Sequence, residues 1–474
     1  MSSPRRVSVD ACPGALRLHA AADGPLARVR LPGGRLTGAQ VRVLRELADE
    51  WGDGHVELTS RGNVQLRALT AAPAGRLAGR LADAGLLPSP THELVRNIAA
   101  SPLPGGALDV APLVGALDRA LCADPALAGL PGRFLFALDS GRGDVAFAAD
   151  VAAYPLGDAV AILFAGVDAG LRVPPGQVVP ALLTAAHAFL SEREAPRPTV
   201  PPTPPAAAPP RAAPSPAAPP AAPPLLADTA PAETSEILEA PGPQEGHRPP
   251  RSGDGTASAP GVGGAWRVRE LVDGPGRLAA RVAATTGVRL AEPVALERPG
   301  MVPPVGLVAG PGGLVSVGAV VPLGRWSAVQ MKVLERAATL VVTPWRGVVV
   351  PGLGPAEAGS WSRALAGVGL EVAQGSRWAG VTTCAGLPGC AKSLADVRAD
   401  ATRAVRGTEP GAGPAARGCL PVHWVGCARG CGSPAGPHVR VEATGRDYEV
   451  RSPAGSGRAS ADGVADLVAT ARRN

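Results

Sequence analysis

The sequence predicts an α+β protein made of two diverged copies of one αβ arrangement, joined by a Pro/Ala-rich linker. Three observations carry this expectation. The chain has 474 residues, too many for one ordinary core. A proline and alanine tract interrupts it near the middle, and the same order of strand, helix and hairpin occurs on either side of that tract. Such a repeat constrains the fold more than any local propensity does.

In the first copy, Ala27 to Leu31 reads as a strand. Thr37 is placed to cap a helix whose Val41, Leu44, Leu47 and Trp51 share one face. A strand with Val56 and Leu58, a Thr59-Ser-Arg61-Gly62 turn and a strand with Val64 and Leu66 follow. In the second copy, Leu314 to Val321 reads as a strand, and Ser327 caps a helix bearing Val329, Val333 and Leu334. The segment LVVTPWRGVVVPGL then echoes the first hairpin, Thr343 to Arg346-Gly347 matching Thr59 to Arg61-Gly62 with one inserted residue. Each copy continues into a helix-like stretch (Ala74 to Leu87; Ala356 to Leu370) and a loop (Ile98 to Gly105; Thr383 to Cys390). Between the copies, 196–263 is too rich in Pro, Ala and polar residues to bury a core, and it reads as an extended linker.

The net charge of +6 is small for this length and no long Lys/Arg run occurs, which speaks against a nucleic-acid partner. The N-terminal Met-Ser-Ser-Pro-Arg-Arg-Val lacks an apolar stretch, and the longest apolar run, near Ala159 to Leu171, carries Asp168 and is short for a bilayer. A soluble, cytoplasmic protein with no membrane partner is expected. Cysteines stand at Cys12, Cys122, Cys384, Cys390, Cys419, Cys427 and Cys431. An odd number without an export signal argues against a disulfide framework, and the clustering of the last ones points to a metal.

Cys384 and Cys390 bracket Ala-Gly-Leu-Pro-Gly and precede a helical pattern with Leu394, Val397, Ala401 and Val405. Free amides and the positive dipole end at that helix start suit an anionic thiolate cluster. Cys427 and Cys431 bracket Ala-Arg-Gly after the apolar Val422 to Val425, with Gly426, Gly430 and Gly432 permitting a tight path. Two short loops thus offer four sulfurs to one [4Fe-4S] cluster. Zinc on the same thiolates is an alternative, although structural zinc favours closer pairs. Cys12, Cys122 and Cys419 have no partner at ligand spacing.

C-x5-C followed at a distance by C-x3-C-G resembles the cluster signature of the nitrite and sulfite reductase family. That resemblance implies two pseudo-symmetric halves, each a ferredoxin-like αβ unit plus a larger αβ lobe: 12–88 and 89–195, then 264–372 and 373–474, with the cluster in the last. It assigns Arg61 to an arginine that reaches the catalytic centre, with Thr59, Asn63 and Gln65 around it, and Arg96 with Asn97 to a second anion contact. Arg67 and Arg142 would join them in a basic groove. It also implies that Cys431 lies between the cluster and a second iron centre, siroheme or a non-haem iron, for which His55 and His423 are the available imidazoles.

Family members that reduce sulfite carry two lysines where this chain has Arg133 and Leu135. An arginine does not release a proton near neutral pH, and leucine has none to give. The openings Cys12-Pro-Gly-Ala-Leu-Arg and Pro32-Gly-Gly-Arg-Leu, with LTSRGNVQLR, resemble instead the family's oxygenase branch. This implies a monooxygenase that hydroxylates precorrin-3A at C20 and closes the ring A γ-lactone, with Arg61, Arg96 and Arg133 acting on an anionic tetrapyrrole. No G-x-G-x-x-G opens a helix after a strand, so electrons would come from a separate reductase. A siroheme sulfite or nitrite reductase, and a non-catalytic metal- or tetrapyrrole-binding protein, are the alternative readings.

Overall fold

The strand Gly24–Val29 runs through Arg30 and Leu31 into a Pro32–Gly34 turn, and the short strand Arg35–Leu36 follows before the helix capped by Thr37. The computed structural model describes residues 12–194, 264–298, 303–407, 419–434 and 436–473. The expected 196–263 linker lies outside them. All described residues belong to one compact unit.

Four five-stranded sheets form two equivalent pairs. The first small sheet has the order His19–Ala21, Gly24–Val29, Val64–Leu66, His55–Leu58, Arg325–Ser327, and the second has Gly306–Ala309, Val315–Val320, Gly347–Leu353, Leu340–Val342, Arg35–Leu36. Each therefore takes its last strand from the other half. Trp326 stands opposite Val56, and Leu36 opposite Leu340. Both exchanged strands immediately precede a helix with a capping box, Thr37 with Gln40 and Ser327 with Gln330. The two small sheets and the helices Gly38–Trp51, Ala328–Leu334 and Pro355–Gly367 share one core.

The lobes repeat just as closely. Ile98–Ala100, Phe136–Leu138, Val151–Leu156, Ala159–Phe164 and Val167–Val173 pair parallel, parallel, antiparallel, antiparallel. Val381–Thr383, Val422–Val425, Val439–Ala443, Asp447–Ser452 and Gly455–Ser460 do the same. A crossover helix joins the first two strands in each, Val110–Ala123 in one and Val397–Arg406 in the other. Among the described residues no helix is long and apolar enough to cross a membrane.

Three expectations need correction. The segment 264–298 does not start the second ferredoxin-like copy, whose first strand begins at Gly306. Its helix Gly274–Thr286 instead adds Leu278, Ala279 and Val282 to the core of the first lobe, and Arg277 and Arg281 pair there with the buried Glu192. Val329 and Leu394, assigned to buried helix faces, are 65% and 54% exposed. Met331 and Leu334 fill the first face, and Val397, Ala401 and Val405 the second.

The exchange brings backbone against backbone. A methyl group on Gly38 would lie 2.0 Å from the carbonyl oxygen of Glu335 in the other half, whereas one on Gly79, in the exposed helix Ala74–Asp83, would meet nothing within 4 Å. Gly38→Ala should therefore cost at least about 2 kcal/mol in urea denaturation, and Gly79→Ala should add roughly 0.5–1 kcal/mol by restricting the unfolded chain. Equal effects would show that the halves are not in close register there.

Candidate functional site

The strands Val381–Thr383 and Val422–Val425 run parallel with Thr383 opposite Trp424, so their chain ends emerge side by side. Cys384 leaves the first end, its N–H bonded to the Trp424 carbonyl at 2.9 Å, and Gly426-Cys427 leaves the second. Both loops required for the thiols thus open at the carboxyl edge of one sheet, where α/β folds place their ligands. All four cysteines are free thiols, Cys431 exposed and the others half-buried. Burial raises the Cys384 pKa, and the backbone N–H groups of Gly426 and Gly386 oppose it by donating to the sulfur, Gly426 at 3.3 Å. Amides aimed at a sulfur are what a thiolate ligand requires.

Among the described residues no three His, Cys, Asp or Glu side chains converge on a point that would hold a single metal ion. Zinc needs four ligands within about 2.3 Å of one centre, whereas a cube of iron and sulfide is held by four thiolates around a larger core. His55 is tied to the Asp53 carbonyl at 2.8 Å. His423 is fully buried between the Thr382 hydroxyl at 2.7 Å and the Cys431 carbonyl at 3.0 Å, and burial depresses its pKa to about 4. A neutral His423 that donates to one neighbour and accepts from the other orients the Cys431 backbone.

The first lobe offers no second set of thiols. Ser101 takes the place of Cys384, its N–H bonded to the Leu138 carbonyl at 3.0 Å and its hydroxyl to Asp144 at 2.6 Å. Asp139, at the end of the adjacent strand, accepts from the N–H groups of Gly141, Gly143, Val145 and Ala146.

The arginines form a second group. Thr59 accepts from the N–H groups of Arg61 and Asn63 and shapes the turn, leaving the Arg61 guanidinium without a hydrogen-bond acceptor among the described residues. Burial, with Arg267 and Arg28 nearby, depresses its pKa to about 10. The strand Gly24–Val29 and the residue after it add Arg28 and Arg30, which sequence reasoning missed. Arg30 is 3% exposed, and its Nε and Nη1 have no hydrogen-bond partner among the described residues. Burial, then the charge of Arg28, depresses its pKa to about 9. Cys12, expected to be incidental, lies within electrostatic reach of Arg28, Arg30 and Arg61.

Several predicted residues position this group instead of facing it. Asn63 accepts from the Leu31 N–H at 2.8 Å and donates to Asn97 at 3.3 Å; Asn97 donates to the carbonyls of Leu94 and Gly132, holding the Arg133 loop against the turn. Both amides are buried and satisfied within the protein, so the expected cofactor contacts at Asn63 and Asn97 are replaced by contacts between segments. Gln65 accepts from Arg28 and donates to Glu57, which also pairs with Arg398 and Arg67. Arg67 in turn grips Asp23 and donates to the Gly389 carbonyl in the cysteine loop. This chain of contacts joins the arginine group to the thiol loops. Arg96 does not belong to it: Asp118 holds it through two bonds of 2.7 Å, so the expected anion contact there is already neutralised. Arg142 is likewise engaged, with the carbonyls of Pro104 and Gly105. Arg133 is exposed, its guanidinium carbon 5.0 Å from the Trp266 ring centroid.

Residues 19–84 match the Nitrite/Sulfite reductase ferredoxin-like half domain family. A precorrin-3B synthase from Sinorhizobium sp is 38% identical over 115 residues, 24% of this chain and 22% of that enzyme. A ferredoxin–nitrite reductase from Leptolyngbya laminosa is 39% identical over 80 residues, 16% of each. The matched stretches thus span about a fifth of those relatives. The solved structure of the Mycobacterium tuberculosis NirA protein superimposes with a TM-score of 0.64 over 94% of this chain and 79% of that one at 17% identity, so the α+β fold with its repeated sheets is shared.

An unpaired buried cation costs stability that a ligand carboxylate would restore. Arg30→Met should therefore raise the resistance of the ligand-free chain to urea, by roughly 1–3 kcal/mol. A destabilised methionine variant would mean that Arg30 has an acceptor in the free protein.

Proposed function

We propose that this chain is an iron-sulfur oxidoreductase that oxygenates an anionic tetrapyrrole, as precorrin-3B synthase does with precorrin-3A in aerobic cobalamin synthesis. Cys384, Cys390, Cys427 and Cys431 would hold a [4Fe-4S] cluster, which supplies electrons one at a time from a separate donor protein. The observation that carries the reading is the arginine group Arg28, Arg30 and Arg61, to which no carboxylate is hydrogen-bonded among the described residues, linked to the cysteine loops through Gln65, Glu57 and Arg67.

Guanidinium forks bind carboxylates bidentately, and a macrocycle edged with carboxylates presents several of them. Arg61, free of other acceptors, would fix one; Arg30 would find in another the counter-charge it lacks. Arg133, held over Trp266 at the surface, would close the edge of the group. Burial of Arg28 and Arg30 keeps competing water away, which strengthens each contact. Thr59, Asn63 and Asn97 hold the turn and the Arg133 loop in place.

The segment that would deliver protons to sulfite argues for the oxygenase over a reductase. Arginine side chains do not supply protons near neutral pH, and Leu135 is buried in an apolar cluster of the first lobe. A siroheme-dependent nitrite or sulfite reductase is the second reading. It is favoured by the similarity to the nitrite reductase. On either reading the protein works as a soluble cytoplasmic enzyme.

The full chain, purified anaerobically and supplied with reductant and oxygen, should convert precorrin-3A to the hydroxylated lactone and leave sulfite and nitrite untouched, as followed by mass spectrometry. Arg61→Gln should lower that turnover by about 100-fold with the fold retained. Rapid nitrite or sulfite consumption without reaction of precorrin-3A would establish the second reading.

A further inference from the structure

The sequence repeat matches Arg346 to Arg61, and the structure gives it a different and unusual place. Thr59 N–H bonds to the Asn63 carbonyl in the first hairpin and Thr343 N–H to the Gly347 carbonyl in the second, so the two turns have equal length with no inserted residue. The counterpart of Gly62, at φ +69°, is then Arg346, at φ +57°. A left-handed backbone is free for glycine and costs an arginine of the order of 1 kcal/mol or more.

The side chain spends that strain on reaching a particular place. Its stem passes over Gly324, where a methyl group would lie 2.7 Å from Cδ of Arg346, and its tip lies beside Gly432, where one would be 3.4 Å from Nη2 and from Cε1 of His423. Gly432 directly follows Cys431. Nη1 is buried and has no hydrogen-bond partner among the described residues, although Glu57 and Arg398 lie within electrostatic range. A buried guanidinium with an orphaned N–H is destabilising unless something anionic arrives. The anions of this loop are the thiolates themselves once they carry a cluster.

We infer that Arg346 is a positioning residue for the Cys431 corner of the cluster, supplying there the fixed positive charge that stabilises its reduced, more anionic state. The inference rests on the cluster reading above. Because the potential of an iron-sulfur centre follows its net charge and the hydrogen bonds to its sulfurs, removing this cation should make the cluster harder to reduce.

The test is an EPR-monitored redox titration of the full chain, comparing wild type with Arg346→Asn, which tolerates the left-handed backbone but carries no charge, and with Arg346→Lys, which keeps the charge. We expect the Asn variant to show about a tenfold lower ratio of reduced to oxidised cluster at a fixed poise, equivalent to about 59 mV for one electron, and the Lys variant to stay near wild type. Loss of the cluster from the Asn variant alone, with an unchanged circular dichroism spectrum, would also support the inference. Equal potentials in all three proteins, or loss of the cluster from both variants, would overturn the role of Arg346 while leaving the cluster reading intact. A wild-type protein with no iron-sulfur signal would overturn both.

Discussion

The reciprocal exchange of two short strands is the constraint on which the rest of the molecule depends. Neither small sheet has its fifth strand until the other half supplies it, so neither half can form its edge alone. With Trp326 fixed opposite Val56 and Leu36 opposite Leu340, the first hairpin can lie in only one way against the second lobe. Glu57 sits in that hairpin opposite Arg325, which places it where Arg398 of the second lobe and Arg67 of the first sheet both reach it. Arg67 completes the path to the cysteine loop through the Gly389 carbonyl.

Charge within this frame is deliberately uneven. Arg67, Arg96 and Arg398 are matched by carboxylates and serve as struts. Arg28 meets only an amide oxygen, Arg30 has two orphaned donors, and Arg61 has no acceptor among the described residues. Stability alone would favour apolar side chains at such sites. Their grouping, connected to four thiols at the carboxyl edge of a sheet, is the basis for proposing a ligand that brings negative charge.

Much of this was legible in the sequence. Apolar spacing at Val41, Leu44, Leu47 and Trp51, capping at Thr37 and Ser327, and alternation around Val56, Leu58, Val64 and Leu66 are local signals, and the structure follows them. The cysteine pairs were legible as candidates because each pair lies within one short loop, Cys384 to Cys390 and Cys427 to Cys431. What depends on distant partners was not. Arg28 and Arg30 occupy the strand face opposite the core, where an arginine normally meets water, and only the packing of other segments buries Arg30 and half-buries Arg28. Arg96 cannot reveal its partner Asp118, which lies on a helix 22 residues later. The equivalence of Arg346 and Gly62 was masked because an Arg-Gly pair occurs in both turns, one position out of register. Exchange of Arg35–Leu36 and Arg325–Ser327 leaves no mark on periodicity at all, since two or three residues are too few to show one.

The central claim is that Cys384, Cys390, Cys427 and Cys431 bind one iron-sulfur cube. Iron and acid-labile sulfide analysis of anaerobically purified protein tests it most directly. The account predicts about four sulfides per chain with at least as much iron, and near-complete loss of sulfide on Cys384→Ser. Stoichiometric zinc without sulfide would contradict it, because the four thiols would then have closed on a single ion.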